Sequence, residues 1–211
     1  VKRHIFDKNN TMVAIITGDI INSRLEDVAL WMPVLKQELH KIGSQPKDWE
    51  IYRGDSFQIK TTPKQALITV LYIKSALKQF KKLDVRMAIG IGEEDYQSEK
   101  VTESNGTAYV NSGECFEGLK KQTLAIKTPW NDFNLILNLL LDVVGLTINN
   151  WTPNYALIIN ESLSNPNNTQ KELAEKLDKK QSNISAGLKR AGFDEIEKIL
   201  DYYNQQIQKL C

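Results

Sequence analysis

The stretch MVAIITGDIINS, Met12 to Ser23, decides how the first half of this chain folds. Its apolar run Met12–Thr17 ends on Gly18-Asp19 and reads as a buried strand meeting a turn. Asn22 or Ser23 can then cap a helix, and Val28, Trp31, Leu35 and Leu39 recur at helical spacing between Leu25 and Ile42. Beyond a loop at Gly43–Lys47, Trp49–Arg53 and Phe57–Lys60 read as extended segments joined by a tight hairpin at Gly54-Asp55. Thr62-Pro63 opens a second helix whose apolar face is Ala66, Leu67, Val70, Ile73, Leu77 and Phe80. Val85, Met87, Ile89 and Ile91 alternate with Arg86, Ala88 and Gly90, the period of a strand. A polar stretch Glu93–Asn105, a helix from about Tyr109 to Lys120 and a strand Thr123–Lys127 follow. The order β-α-β-β-α-β-α-β predicts an α+β fold: a mostly antiparallel, ferredoxin-like sheet with its helices on one face.

Thr128-Pro129 marks a change, because everything after Trp130 reads as helix with short polar breaks. The expected division is a sheet domain over residues 1–128 and an all-α domain over residues 129–211. Within the latter, TQKELAEKLDKKQSNISAGLKRAG (Thr169–Gly192) has the pattern of a helix-turn-helix. Thr169 caps the first helix and Glu172 completes a capping box. Leu173, Ala174 and Leu177 face inward, Asp178-Lys179-Lys180 is the turn, and a second helix buries Ile184 and Leu188. Residues 179–190 contain four basic side chains and no acid. Lys179, Lys180, Lys189 and Arg190 suit phosphates, and Gln181, Ser182, Asn183 and Ser185 stand at the helix end that reaches base edges. The expected partner is double-stranded DNA. Phe193, Ile196, Leu200, Tyr203, Ile207 and Leu210 then form a seam that suits either the same subunit or a homodimer through residues 193–210.

Bulk composition narrows the class without naming it. A chain of 211 residues, 41% hydrophobic and 25% charged, is long enough for one large or two small soluble domains. The formal net charge of +1 carries no global signal for nucleic acid, so charge has to be read locally. The apolar stretch Leu135–Leu146 is broken by Asn138, Asp142 and Gly145, and the start Val1–Thr11 is polar, so neither a membrane partner nor a signal peptide is expected. The cytoplasm is the expected location. Cys115 and Cys211, with only His4 and His40 beside them, make neither a disulfide framework nor a zinc site; Cys115 reads as a small core residue.

Two acidic turns remain. Asp19 follows the first strand, and Asp55 sits at the hairpin tip in Arg53-Gly54-Asp55-Ser56-Phe57. If those strands are neighbours, the carboxylates come close enough to hold Mg²⁺, whose hard-oxygen preference also admits a nucleotide or other phosphate ligand. A helix starting after Ser23 would offer free N–H groups to such an anion. Ser23 and Arg53 are therefore ligand-binding candidates and Asp19 and Asp55 metal candidates. Gly-Asp pairs also shape turns without any ligand.

The segments AIITGDIINSR, YRGDSFQ, VRMAIGIG and ESNGTAYVNSG, in this order and with the helix-turn-helix, resemble the SatD family of bacterial proteins. More distantly, they resemble the catalytic domain of class III nucleotidyl cyclases. That resemblance implies a cyclase-like fold, with Asp19 and Asp55 at the metal-binding positions and Asn111 as a further ligand-binding candidate. It also exposes departures: the cyclases resemble one another in a lysine where this chain has Ile51 and an arginine where it has Cys115. Loss of an electrostatic stabiliser of that kind costs ~10²–10³ in rate. The implied function is a DNA-binding transcriptional regulator with a degenerate cyclase-like sensing domain. An enzyme reading stands beside it, a Mg²⁺-dependent nucleotidyl or phosphoryl transfer regulated or localised by the helix-turn-helix. A third is an interaction module in which both motifs are structural.

Overall fold

The computed structural model describes residues 12–211; residues 1–11, with the polar start and His4, lie outside it. The first strand, β1 (Val13–Ile21), is flanked on both sides. β3 (Ser56–Thr61) and β4 (Asp84–Gly92) pair with it antiparallel, β2 (Trp49–Tyr52) adds to β3, and β5 (Leu124–Lys127) runs parallel to β4. The sheet order is β2-β3-β1-β4-β5. The predicted alternation and the mostly antiparallel sheet are both present, in a mixed α+β chain.

Helices cover both faces of this sheet, not one. Ala14, Ile16 and Ile20 of β1, with Val85, Met87, Ile89 and Ile91 of β4, share a buried cluster with α1 (Val28–His40) and α2 (Pro63–Leu77). Ile15 points the other way, onto Ala108 and Tyr109 of α3 (Thr107–Gly118). The close approach of α3 explains the row Ala88, Gly90, Gly92, which in sequence looks only like the quiet half of an alternation. A Cβ on Gly90 would lie 2.2 Å from the Ser112 backbone nitrogen, and Thr17 Oγ1 meets Ser112 Oγ at 2.8 Å. The helix expected directly after Ser23 is also displaced. Asn22 takes left-handed angles (φ 62°), Ser23–Leu25 make one 3-10 turn, and Asp27 caps α1 by accepting from the Ala29 N–H at 2.9 Å.

The remaining helices build onto α2 and the β5 edge. α4 (Asn131–Ile148) lies along β5, where the Asn138 amide accepts from Ile126 N–H at 2.8 Å and donates to Ile126 C=O at 2.9 Å. Asn134 treats Thr128 in the same way, so these two side chains satisfy backbone groups that a free strand edge would leave open. α5 (Pro153–Ser164) and α8 (Phe193–Leu210) pack on α2. The Tyr72 hydroxyl donates to Leu163 C=O at 2.8 Å, and the Tyr203 hydroxyl donates to Pro63 C=O at 2.5 Å. Of the α8 seam, Ile196, Tyr203 and Ile207 are buried in their own chain, with Tyr203 against Phe133, while Phe193, Leu200 and Leu210 are only partly covered. α6 (Gln170–Lys176) and α7 (Gln181–Ala191) complete the fold, and one buried cluster runs from β1 to α8 without a break at residue 128.

Burying α2 on so much of its surface also buries Lys74, whose side chain is fully enclosed. Its Nζ lies 2.7 Å from Asp84 and donates to Thr123 Oγ1 at 2.9 Å and Asn149 Oδ1 at 2.8 Å. Burial pushes its pKa down to about 8, against the upward pull of Asp84. The folded value is below the unfolded one, so between about pH 8 and 10.5 the unfolded chain holds more protons and stability rises with pH. Urea unfolding of wild type and Lys74→Met checks this. Relative to the variant, wild type should gain roughly 2 kcal/mol between about pH 7.5 and 9.5. Parallel curves would mean that Lys74 stays charged throughout.

Candidate functional site

The region Thr169–Gly192 forms two short helices. The Thr169 hydroxyl accepts from Glu172 N–H, and the Glu172 carboxylate accepts in turn from Thr169 N–H at 2.7 Å, so the capping box is present. Leu173 and Ala174 are buried, and the turn bonds back through Lys179 N–H to Ala174 C=O at 2.8 Å. Asp178 takes left-handed angles (φ 49°) to redirect the chain. α7 packs on α5 through Ile184, Gly187 and Leu188. Gly187 is required by that approach, because a Cβ there would lie 2.6 Å from Ile158 Cδ1. Trp151 Nε1 donates to Ala191 C=O at 2.9 Å, and Gly192 (φ 72°) ends the helix.

The opposite face of α7 is open. Lys180, Gln181, Ser182, Asn183, Ser185, Lys189 and Arg190 are exposed, and Lys179 is half-buried. Among the described residues none of Lys179, Lys180 and Lys189 has an ion-pair partner, while Arg190 only touches the Tyr155 hydroxyl at 3.4 Å. The helix thus presents a polar first turn and a basic last turn on one surface, with its apolar side fixed to α5.

Only one of the two expected acidic turns is a turn: β1 runs on through Gly18-Asp19 to Ile21, held there by pairing with both β3 and β4, while Asp55 does sit at the β2–β3 turn. Ile20 N–H bonds to Asp55 C=O at 3.1 Å and Asp19 pairs in register with Ser56, so the two aspartates sit on adjacent backbone. Each carboxylate has its own partners. Asp19 accepts from the Ser56 hydroxyl at 3.0 Å and lies 3.3 Å from the Arg86 guanidinium, and Asp55 accepts from the Ser23 hydroxyl at 2.6 Å. Arg86 in turn stacks 4.9 Å over the Phe116 ring. Burial, and secondarily the Asp19 charge, raises the pKa of neighbouring Tyr52 against the opposing pull of Arg53. Arg53 itself is exposed in the three-residue turn Arg53-Gly54-Asp55, one residue longer than the expected hairpin tip. The first α-helix begins at Val28, past Ser23, and its Ala29 N–H is already bonded to the Asp27 carboxylate.

Asn111 is elsewhere. Its amide donates to Ile91 C=O at 2.8 Å, and Ile91 is five residues along β4 from Arg86, roughly 17 Å of strand away from the Asp19 end. Cys115 is a partly buried neutral thiol whose pKa burial raises to about 11, so it supplies no positive charge for a phosphate. Among the described residues no group of three or more His, Cys, Asp and Glu side chains could hold a metal. Mg²⁺ at Asp19 would have to compete with Arg86. Sequence reasoning misses Arg86, since only the register Asp19↔Arg86 shows that the two share a face.

No curated protein matches the chain. The SatD family profile matches residues 12–201, nearly the whole described chain from β1 into α8. The chain belongs to the SatD family.

Proposed function

We propose that this protein is a DNA-binding transcriptional regulator of the cytoplasm that contacts duplex DNA through α7. One observation carries the reading: the outward face of α7 combines an exposed polar first turn with exposed basic groups and holds no acid. In this reading α6 and α7 act as a DNA-binding helix-turn-helix, with Lys179, Lys180, Lys189 and Arg190 on phosphates. Gln181, Ser182, Asn183 and Ser185 face base edges in the major groove. The sheet is read as ferredoxin-like and cyclase-like, with a sensing role. Its ligand class is a nucleotide or other phosphate, with or without Mg²⁺, at Asp19, Asp55, Ser23 and Arg53. The support for that part is the adjacency of Asp19 on β1 and Asp55 in the β2–β3 turn.

The two kinds of residue on α7 should fail differently. Replacing Lys189 and Arg190 by Ala should weaken binding to every duplex and reduce the log–log salt slope by roughly 1 for each phosphate no longer neutralised. Gln181→Ala or Asn183→Ala should cost ~1–3 kcal/mol on a site selected from random duplexes and spare binding to other sequences. Ile184→Ala, at a fully buried position, should instead lower stability by ~2–5 kcal/mol. Wild type that enriches no sequence, and binds no better than the Lys189→Ala, Arg190→Ala double variant, would end the DNA reading.

The enzyme reading makes the opposite prediction at the sheet. With Ile51 and a neutral Cys115 where charged groups are needed, ATP and GTP should yield essentially no cyclic product. Turnover near ~1 s⁻¹ would instead favour an enzyme. Calorimetry checks the ion separately. Arg86→Met should bind Mg²⁺ more tightly than wild type, and adding Asp19→Asn should abolish the gain. If none of the three proteins releases or takes up heat, Asp19 and Asp55 serve only the strand pairing and the turn they stand in.

A further inference from the structure

α4 leaves a long apolar surface outside the core. Phe133, Leu137, Leu141, Val144 and Ile148 are buried against the protein, while Leu135 is 73% exposed, Leu139 63%, Val143 60% and Leu146 76%. Ile136, Leu139, Val143 and Leu146 are spaced 3, 4 and 3, the seam that one helix offers to another. With Leu135 they bare on the order of 500 Å² of apolar surface, at the upper end of what a monomer carries without a use for it. Of the α8 seam, by contrast, Ile196, Tyr203 and Ile207 are already buried within the chain.

We propose that this face of α4 is the contact between two copies of this chain. The patch is charge-poor in a way that suits pairing with itself: residues 131–148 contain no Lys or Arg, and their two acids are Asp132 and Asp142. The flank of the face carries the opposite net sign, since Leu140 and Val143 border a groove shared with Lys189, Arg190 and Lys198, against the single acid Glu195. A two-fold pair brings the apolar stripes together and leaves the exposed Asp142 of each copy, beside Leu139 and Leu146, to be met by the basic flank of the other. Two such patches bury on the order of 1,000 Å², where specific interfaces begin. The length and mean hydropathy of α4 (18 residues, 1.4) would also pass for a membrane span. Its inner face, however, is tied to β5 by Asn138 and Asn134, so the helix is not free to leave the protein and cross a bilayer. The second copy is the favoured occupant. This inference does not depend on DNA binding, and it is read without DNA present.

Sedimentation velocity of the full chain from roughly 1 to 100 µM tests it. Wild type should be a dimer within that range. A Leu139→Lys, Val143→Lys variant and a Leu139→Glu, Val143→Glu variant should each be monomeric, with unchanged circular dichroism because both positions are exposed. Mixing the two charge variants one to one should restore a dimer, which loss of folding could not do. Leu146→Glu, at the most exposed position, repeats the test if either double variant melts early. Wild type that stays monomeric throughout, or charge variants that still dimerise, would overturn the proposal. So would a monomer that floats with phosphatidylcholine–phosphatidylglycerol vesicles and is released by Leu139→Glu, Val143→Glu, since the occupant would then be a lipid surface.

Discussion

Helix α2 has to be covered on nearly its whole circumference, and most of the architecture follows from that. Eleven of its residues are buried, among them Ala66, Leu67, Val70, Leu71, Ile73 and Leu77, so one covering layer cannot satisfy it. The sheet covers one side; α5 and α8 cover the other. Lys74 is a consequence, a cation enclosed because the helix around it is enclosed, kept tolerable by Asp84, Thr123 and Asn149. Removing the C-terminal helices would bare α2, which is why the buried cluster continues past the change in composition at Thr128-Pro129.

The same constraint sets the position of α7. α5 is held on α2, and α7 is held on α5 at the close approach that Gly187 allows, so its exposed face is mounted on a packed scaffold. α4 is locked in turn by two asparagines that complete the hydrogen bonding of the β5 edge. Fixing one side of α4 to the sheet fixes which side is left out. A polar helix face and an apolar helix face thus stand outside one continuous core, and each suits a different kind of partner. At the sheet, by contrast, Asp19 has a partner within the chain, because Arg86 already supplies the positive charge that a metal would bring.

Local chemistry is legible in the sequence wherever the signal is local. The capping box at Thr169 and Glu172 and the alternation in β4 follow from spacing alone, whereas Asp19 and Asp55 meet only because β1 pairs with β3, and Gly18-Asp19, read as a turn, continues the strand. What escapes depends on register or on a choice between neighbours. Helices are expected on one face because Ala88, Gly90 and Gly92 look featureless until α3 is seen to need their missing side chains. The helix start moves from Ser23 to Val28 because Asn22 adopts left-handed angles and Asp27 is the effective cap. Resemblance groups Asn111 with the acidic turns, yet it bonds to the Ile91 end of β4. The spacing of α8 cannot say whose core it will enter.

The central claim is that the exposed face of α7 meets duplex DNA, and backbone amide NMR reads that surface directly. A nitrogen-15-labelled chain is titrated with a short random-sequence duplex at low salt, where phosphate contacts dominate. The account predicts shifts concentrated between Lys179 and Arg190, fading as salt is added, with the buried Ile158 and Leu163 of α5 nearly still. Shifts confined to the sheet or scattered over the surface, or no shifts at all with the duplex in excess, would contradict it.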